Sequence, residues 1–175
     1  ALPRPAREEA AQPSPEGGGL SLSGGRMAFP PNPQMARALE LARAAADAGE
    51  VPVGAVLTAA DGSLLAEAHN LTRTRPDPTA HAEMLVLREG AAKLGSERLI
   101  GCTLTVTLEP CPMCAAAIAE ARVARLVYAA SDPKGGGVEH GPRVYAHTRH
   151  VPEIVSGIAE AEAAELLKAF FAARR

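Results

Sequence analysis

This sequence has few cysteines, no long apolar run and a net charge of only -2. It contains only three cysteines, Cys102, Cys111 and Cys114, whereas a chain this short that depended on disulfides would carry more of them, in an even number. We therefore expect a reducing, cytoplasmic location with the cysteines free or bound to a metal. No apolar run approaches the roughly 20 residues needed to cross a bilayer, and residues 1–26 lack the apolar stretch of a secretory signal, so we expect a soluble protein.

The charges nearly balance, with 18 Lys and Arg against 20 Asp and Glu. This balance excludes a globally basic nucleic-acid-binding protein, but it leaves room for a local basic face. Apolar residues make up 47% of the 175 residues. This length and composition are typical of one domain with a single core.

Residues 1–33 form a segment rich in proline and glycine, with seven of the fifteen prolines and five of the sixteen glycines. Such a segment cannot bury enough apolar surface to offset its ordering entropy. We expect a flexible tail over residues 1–30 and one folded domain over residues 31–175. Met27 lies where helical periodicity is about to begin, so it is either the natural start of the chain or part of a real extension.

Beyond this segment, the spacing of apolar residues predicts alternating helices and strands. Asn32 and Pro33 are typical of a helix start, and Asp61-Gly62 is typical of a hairpin turn. The predicted helices cover 32–49, 84–94, 111–121 and 158–171, and the predicted strands cover 51–57, 64–66, 103–108, 126–129 and 154–155. In the last helix the expected buried side chains are Leu166, Leu167, Phe170 and Phe171. This order predicts an α/β fold, with one mixed sheet covered by helices on both faces.

Two short motifs carry the most distinctive chemistry: His81-Ala82-Glu83 and Pro110-Cys111-Pro112-Met113-Cys114. Cys-x-x-Cys spacing brings two thiolates onto one cation, and an imidazole supplies a third ligand in a set that suits zinc. Three ligands, His81, Cys111 and Cys114, leave the fourth tetrahedral position open, as in catalytic zinc sites. Glu83 lies at the start of the same helix, where its carboxylate can move a proton between water and a leaving group.

Some of the residues with possible functions also have simpler structural interpretations. A Cys-x-x-Cys pair alone is also typical of a redox motif or of half a structural zinc site. We expect Cys102 to be a small buried residue rather than a fourth ligand, and Glu109 to make a buried or interface hydrogen bond. Residues 135–137 are three glycines that lack the Lys-Ser/Thr of a phosphate-binding loop, so we expect flexibility there.

The two motifs and their flanks resemble those of the bacterial tRNA-specific adenosine deaminases, a family of the cytidine deaminase superfamily. The closest correspondence covers residues 77–83 (DPTAHAE) and 107–114 (TLEPCPMC), whose H-x-E and P-C-x-x-C patterns are the signature of zinc nucleobase deaminases. The resemblance extends through residues 50–56, 68–70, 125–128 and 166–175. Residues 135–151 depart from the family pattern.

This resemblance implies a three-layer cytidine deaminase-like fold with a mixed five-stranded sheet, a Zn²⁺ cofactor and a homodimer. The implied site residues are Glu83 as the catalytic proton carrier, His81, Cys111 and Cys114 as metal ligands, and Asn70 and the backbone of Ala82 as contacts to the base. The implied reaction is deamination of adenosine to inosine at the wobble position of tRNA, with the tRNA anticodon loop as partner.

Because residues 135–151 depart from the family pattern, a second substrate class stays open: free nucleobases or nucleosides such as guanine, cytosine or adenosine. A third interpretation, a zinc-stabilised binding module without catalysis, would require Glu83 to be idle.

Overall fold

The structure is a computed structural model that describes residues 32–174. The predicted tail over residues 1–30 and the possible start at Met27 lie outside the described residues. Within the described range the elements follow in this order: α1 (Pro33–Asp47), β1 (Gly54–Thr58), β2 (Leu64–His69), α2 (Ala82–Leu94), β3 (Thr103–Leu108), α3 (Pro112–Glu120), β4 (Arg125–Ala130), a 3₁₀ helix (Val144–His147), β5 (Glu153–Ser156) and α4 (Glu160–Ala172).

The five strands form one mixed sheet in the order β2-β1-β3-β4-β5. Strand β1 runs antiparallel to both β2 and β3, whereas β3, β4 and β5 are parallel. The predicted mixed sheet of five strands is therefore confirmed. Because β3 and β4 are parallel, their carboxyl ends meet at one edge of the sheet, which is where open α/β sheets bind ligands.

Helices cover both faces of this sheet, as predicted. On one face Leu57 of β1 and Leu104 of β3 share a core cluster with residues of α2 and α3. On the other face Val56 of β1 packs with residues of α1 and α4. The alternation of neighbouring strand residues between two buried faces explains why β1 (GAVLT) and β4 (RLVYAA) are almost continuously apolar.

The predicted start of α1 is confirmed in detail. Asn32 is the N-cap, and its Oδ1 accepts a hydrogen bond from the backbone N–H of Met35 at 2.8 Å. Pro33 occupies the first turn, where its missing N–H costs nothing. The hairpin turn is confirmed as well, with Gly62 at a φ of 84°.

The prediction for the last helix is wrong at Phe171. Phe170 is only 5% exposed, but Phe171 is 48% exposed and packs edge-on against the Phe170 ring. Neighbouring residues on a helix point about 100° apart, so one inward face does not bury both rings.

Among residues 32–174, no helix is both long and apolar enough to span a bilayer.

Candidate active site

His81, Cys111 and Cys114 come together beyond the carboxyl end of β3, although His81 precedes the two cysteines by 30 and 33 residues. The His81 Nδ1 lies 3.7 Å from the Cys111 Sγ and 3.5 Å from the Cys114 Sγ, and the three ligand atoms lie within 4.8 Å of one another. Zinc–ligand bonds of about 2.0 to 2.3 Å in a tetrahedron would separate the ligand atoms by about 3.6 Å. The three side chains therefore fit a zinc ion.

Two helix starts position these ligands. His81 is the N-cap of α2, and Cys111 is the N-cap of α3, whose first helical residue is Pro112. Unpaired N–H groups and the positive end of the helix dipole favour negative charge at such positions. The expectation that both motifs stand at helix starts is confirmed, and this placement favours thiolates at the site.

The pKa values of the two thiols shift in opposite directions. The neighbouring Cys114 thiol, followed by His81, lowers the pKa of Cys111 to about 4. The same interaction with Cys111, together with burial, raises the pKa of Cys114, while Cys111 raises the pKa of His81. Both sulfurs coordinate zinc as thiolates, so zinc binding would release any thiol proton held at the site.

Glu83 is the titratable group placed to move protons beside this metal set. It lies in the first turn of α2 and is only 4% exposed. Burial raises the pKa of its carboxyl above the usual range for Glu. A raised pKa makes this carboxylate a stronger base, as a group that accepts a proton in general acid-base catalysis requires.

Asn70 and Ala82, the two predicted substrate contacts, touch each other. The Oδ1 of buried Asn70 accepts a hydrogen bond from the backbone N–H of Ala82 at 2.9 Å. This bond ties the end of β2 to the start of α2 and occupies the Ala82 N–H, leaving the Nδ2 amide group of Asn70 for a further partner. Contact of either residue with a substrate stays a prediction.

A buried carboxylate that the sequence analysis did not single out, Glu50, holds the 70–80 loop, which leads from β2 to His81. Glu50 is 0% exposed. Its carboxylate accepts hydrogen bonds from the backbone N–H groups of Arg73 and Thr74 at 2.9 and 2.7 Å and from the Thr72 hydroxyl at 3.2 Å. Burial acts to raise the pKa of Glu50, but the hydrogen bonds outweigh it and lower the pKa.

Glu109 holds the 131–143 loop, which follows β4, in the same way. Its carboxylate accepts hydrogen bonds from four backbone N–H groups, those of Asp132, Val138, Glu139 and His140, and it bonds the His140 Nδ1 at 2.7 Å. Burial is again outweighed by these hydrogen bonds, which lower the pKa of Glu109. The predicted buried hydrogen bond of Glu109 is confirmed, with partners 23 to 31 residues away.

Two of the three glycines at 135–137 are packed, so the expectation of a merely flexible stretch is wrong for them. Gly136 and Gly137 are buried. A Cβ on Gly136 would lie 2.5 Å from the Glu109 Cδ, and one on Gly137 would lie 2.6 Å from the Pro112 N. Glycine is needed here because the loop passes directly over the start of α3, which carries the metal ligands.

Several other cysteine, histidine and tyrosine side chains lie outside the metal set. Cys102 is buried within the core, as predicted. The His150 Nε2 bonds the backbone oxygen of Val123 at 2.7 Å, and His147 lines a separate cavity of about 300 Å³ near the end of α3. Sequence reasoning missed Tyr145, a buried residue of the 3₁₀ helix that packs beside α3.

The site fits a class of enzyme: three side chains that could hold zinc, with a buried carboxyl beside them, match the parts of a zinc-dependent hydrolase. The family model for the cytidine and deoxycytidylate deaminase zinc-binding region matches residues 32–130. The chain belongs to this deaminase family, and it is a zinc-dependent aminohydrolase.

Curated relatives agree with this assignment. A tRNA-specific adenosine deaminase of Agrobacterium fabrum is 52% identical over 143 residues, which cover 81% of this chain and 93% of the relative. A tRNA-specific adenosine deaminase of Bacillus subtilis is 48% identical, over 78% of this chain and 86% of the relative.

Solved structures show the same fold. A chain from a study of A-to-I editing by tRNA:A34 deaminases at the wobble position of transfer RNA is 52% identical, with a TM-score of 0.75 over 77% of this chain and 98% of that chain. A guanine deaminase from Nitrosomonas europaea is 26% identical, with a TM-score of 0.68 over 79% of this chain and 83% of that chain.

Proposed function

We propose that this protein hydrolytically deaminates adenosine to inosine at the wobble position of tRNA, with Zn²⁺ as cofactor. The observation that carries the chemistry is the placement of buried Glu83 in the first helical turn after His81, beside the two cysteines. The substrate is supported by relatives at 48 to 52% identity whose names specify tRNA adenosine.

In the proposed reaction adenosine and water become inosine and ammonia. The water oxygen bonds to the amine-bearing carbon of the purine, and the bond from that carbon to the amine nitrogen breaks. Zinc held by His81, Cys111 and Cys114 would lower the pKa of a water molecule and so supply the nucleophile. Glu83 accepts a proton from the water and delivers it to the leaving nitrogen, which departs as ammonia.

The base is proposed to bind beside Asn70. Its Oδ1 is held by the N–H of Ala82, which fixes the orientation of the side-chain amide. The Nδ2 group then donates to an acceptor nitrogen or oxygen of the base. A purine in this place presents its amine-bearing carbon to Glu83, which follows Ala82 directly in the chain.

The RNA strand is proposed to pass over the two loops that Glu50 and Glu109 hold. The 70–80 loop exposes Arg73 and Arg75, and the 131–143 loop exposes Lys134 and Arg143. Such side chains suit phosphates on either side of a base extruded from the anticodon loop. These four basic side chains would form a local basic face, which a near-zero net charge does not exclude.

The proposed assembly is a homodimer. The outward side of α3 carries Ala116 and Ala117, which are only half-buried, and side chains this small let a second backbone approach closely. Light scattering should give about twice the chain mass of 18.0 kDa. A mass of one chain at micromolar concentration would contradict the dimer.

The direct test is to incubate the zinc-loaded protein with an anticodon stem-loop carrying adenosine at the wobble position and to map inosine in the product. The control is a stem-loop of the same composition with adenosine at a different loop position. We expect inosine at the wobble position and almost none in the control. A stem-loop that stays unmodified while free guanine releases ammonia would instead support a free-base deaminase.

A further inference from the structure

The cavity near the end of α3 is separate from the metal set. Its volume is about 300 Å³, at the lower end of the range for cavities that hold small ligands. Its walls come from the end of α3 and from the segment that follows the 3₁₀ helix, and its polar side chains are Glu120, Arg122, His147, Thr148, Arg149 and His150. Neither the zinc ligands nor Glu83 or Asn70 line it.

This cavity and the metal set lie at opposite edges of the sheet. The metal ligands lie beyond the carboxyl end of β3, whereas Arg122 comes just before the amino end of β4 at Arg125. Strands β3 and β4 are parallel, so these two ends belong to opposite edges. Cys114 is in the first turn of α3 and Glu120 is its last residue, about 9 Å further along the helix axis at 1.5 Å per residue. A ligand in the cavity would therefore not occupy the catalytic position.

The backbone at the end of α3 is satisfied without the Arg122 side chain. The carbonyl oxygens of Ile118 and Ala119 accept hydrogen bonds from the N–H groups of Val123 and Arg122 at 3.3 and 3.1 Å. In this Schellman pattern the residue after the C-cap adopts a left-handed conformation and is usually glycine. Here the residue after the C-cap is Arg122, with a φ of 59°. An arginine thus stands where glycine would fit the backbone better.

Two arginines of the lining have no ionic partner within the part of the chain that the structure describes. Neither Arg122 nor Arg149 forms an ion pair there, whereas the nearby Arg125 pairs with Glu153 at 2.9 Å. Glu120 also lines the cavity, but it is exposed and lies beyond ion-pair distance of both arginines. The lining therefore carries more positive than negative charge.

The segment that carries Arg149 is held against the end of α3. The Thr148 hydroxyl donates a hydrogen bond to the backbone oxygen of His150 at 2.8 Å, and the His150 Nε2 donates one to the backbone oxygen of Val123 at 2.7 Å. The second bond joins residues 148–150 to the turn between α3 and β4. Arg122 and Arg149 thus project from two backbones that are tied together, and such an arrangement loses less entropy when a ligand binds.

Guanidinium groups bind phosphate oxygens through paired N–H donors. We propose that this cavity binds a phosphate group, held by Arg122 and Arg149. Two sources carry this chemistry: the backbone of a bound RNA and a small phosphate ester such as a nucleotide. The site goes beyond the proposed deamination and does not depend on it. Its test needs no deamination readout, so a negative result would leave the proposed function standing.

The test measures binding of three probes to zinc-loaded protein at low salt: inorganic phosphate, uridine 5′-monophosphate and a short oligouridine. Uracil carries no exocyclic amine, so neither uridine probe is a substrate for deamination. The variants are Arg122→Gly and Arg149→Gln. Arg98→Gln is the matched control, because Arg98 is an exposed arginine that pairs with Glu97 and does not line the cavity.

We expect the parent to bind, and Arg122→Gly and Arg149→Gln to bind about tenfold or more weakly, since each loses charge-assisted hydrogen bonds. Arg98→Gln should keep the parental affinity. Arg122→Gly should also melt at or above the parent, because glycine accepts the left-handed conformation, so its weaker binding would not come from unfolding. Binding of inorganic phosphate and the mononucleotide would identify a small phosphate ester as the ligand, and binding of oligouridine alone would identify RNA.

For oligouridine, the dependence of affinity on salt gives a second readout. The slope of log affinity against log salt should decrease by about one for each arginine removed. Equal affinities of the two cavity variants and Arg98→Gln for every probe that binds would overturn the proposal. The absence of binding of all three probes to the parent at millimolar concentration would overturn it as well.

Discussion

We expect single side chains to decide whether this protein holds a metal. Cys114 is fully buried and lies 3.5 Å from the His81 Nδ1, so Cys114→Ala leaves two ligands for a metal that needs three or four. Elemental analysis should find about one zinc per chain in the parent and far less in this variant. Cys102→Ala is the control because Cys102 is buried away from the metal set, and it should keep the parental zinc content. Full zinc in Cys114→Ala would rule out the ligand assignment.

A second prediction at this scale separates metal binding from proton transfer. Glu83→Gln keeps the size of the side chain but removes its ability to exchange a proton. We expect parental zinc content and melting temperature, with deamination reduced by a factor of about 100 or more, since general acid-base steps supply roughly 100 to 10,000-fold. Near-parental turnover would mean that another group moves the proton.

The residues that sequence reasoning found and missed differ in a physical way. His81, Cys111 and Cys114 are recognisable because metal chemistry fixes their types and the spacing of the two cysteines. Glu50 carries no such pattern, since its role comes from partners in the 70–80 loop that the folded chain brings to it.

Among the structural elements, the 131–143 loop has a tight steric requirement where it crosses the start of α3. A Cβ on Gly137 would lie 2.6 Å from the Pro112 N and 2.9 Å from the backbone carbon of Cys111. Backbone atoms cannot move aside as a side chain does, so Gly137→Ala should push the loop or the start of α3 out of place. Overpacking of this kind costs about 1 to 3 kcal/mol, and we expect weaker zinc binding as well, because Cys111 itself is displaced.

Gly135→Ala in the same loop is the matched control. There an added Cβ would meet only the Asp132 side chain, with its Oδ2 at 2.8 Å. Urea denaturation and chelator competition on both variants should show a clearly larger loss of stability and of zinc affinity for Gly137→Ala. Equal behaviour of the two variants would show that the loop does not press on the zinc ligands.

Helices and strands could be predicted where the local sequence pattern alone determines them. β3 is found at the predicted residues 103–108 because a segment in which Thr alternates with Leu and Val, bounded by Gly101 and Pro110, is typical of a strand. β2 continues to His69, beyond the predicted residues 64–66, because pairing with β1 extends over polar residues such as Glu67. The 3₁₀ helix was not predicted, since it depends on loop contacts with Glu109 and α3 that only the fold creates.

For the whole molecule, Glu50 and Glu109, the two buried carboxylates that hold loops, predict sensitivity to acid. The hydrogen bonds of Glu50 and Glu109 outweigh burial and lower both pKa values below the ordinary range. A carboxyl with a lowered folded-state pKa contributes stability that is fully present above the unfolded-state value, about 4.3 for Glu. This contribution is lost as the pH falls through the lower pKa of the folded state. The free energy of unfolding should therefore decrease as the pH falls below about 4.5.

Glu50→Gln tests this account because it keeps the side-chain shape but turns an NH₂ group or a neutral oxygen toward the loop. We expect a loss of roughly 2 kcal/mol at pH 7, as for buried donors left without a partner, and a smaller loss at pH 4. Glu97→Gln, at a side chain 81% exposed, should match the parent at both pH values. A loss for Glu50→Gln that is equal at pH 7 and pH 4 would contradict the predicted linkage.

The central claim is that this zinc deaminase acts on adenosine within tRNA, and ammonia release at two salt concentrations tests it most directly. The substrates are an anticodon stem-loop with wobble adenosine and free adenosine, guanine and cytosine at matched concentrations. If Arg73, Arg75 and Lys134 meet phosphates, the efficiency on the stem-loop should fall on the order of tenfold or more between about 50 and 200 mM salt. Free compounds should react poorly at both salt concentrations, because remote nucleotides no longer help to orient the base. A free base or nucleoside that reacts as efficiently as the stem-loop, without dependence on salt, would contradict the account.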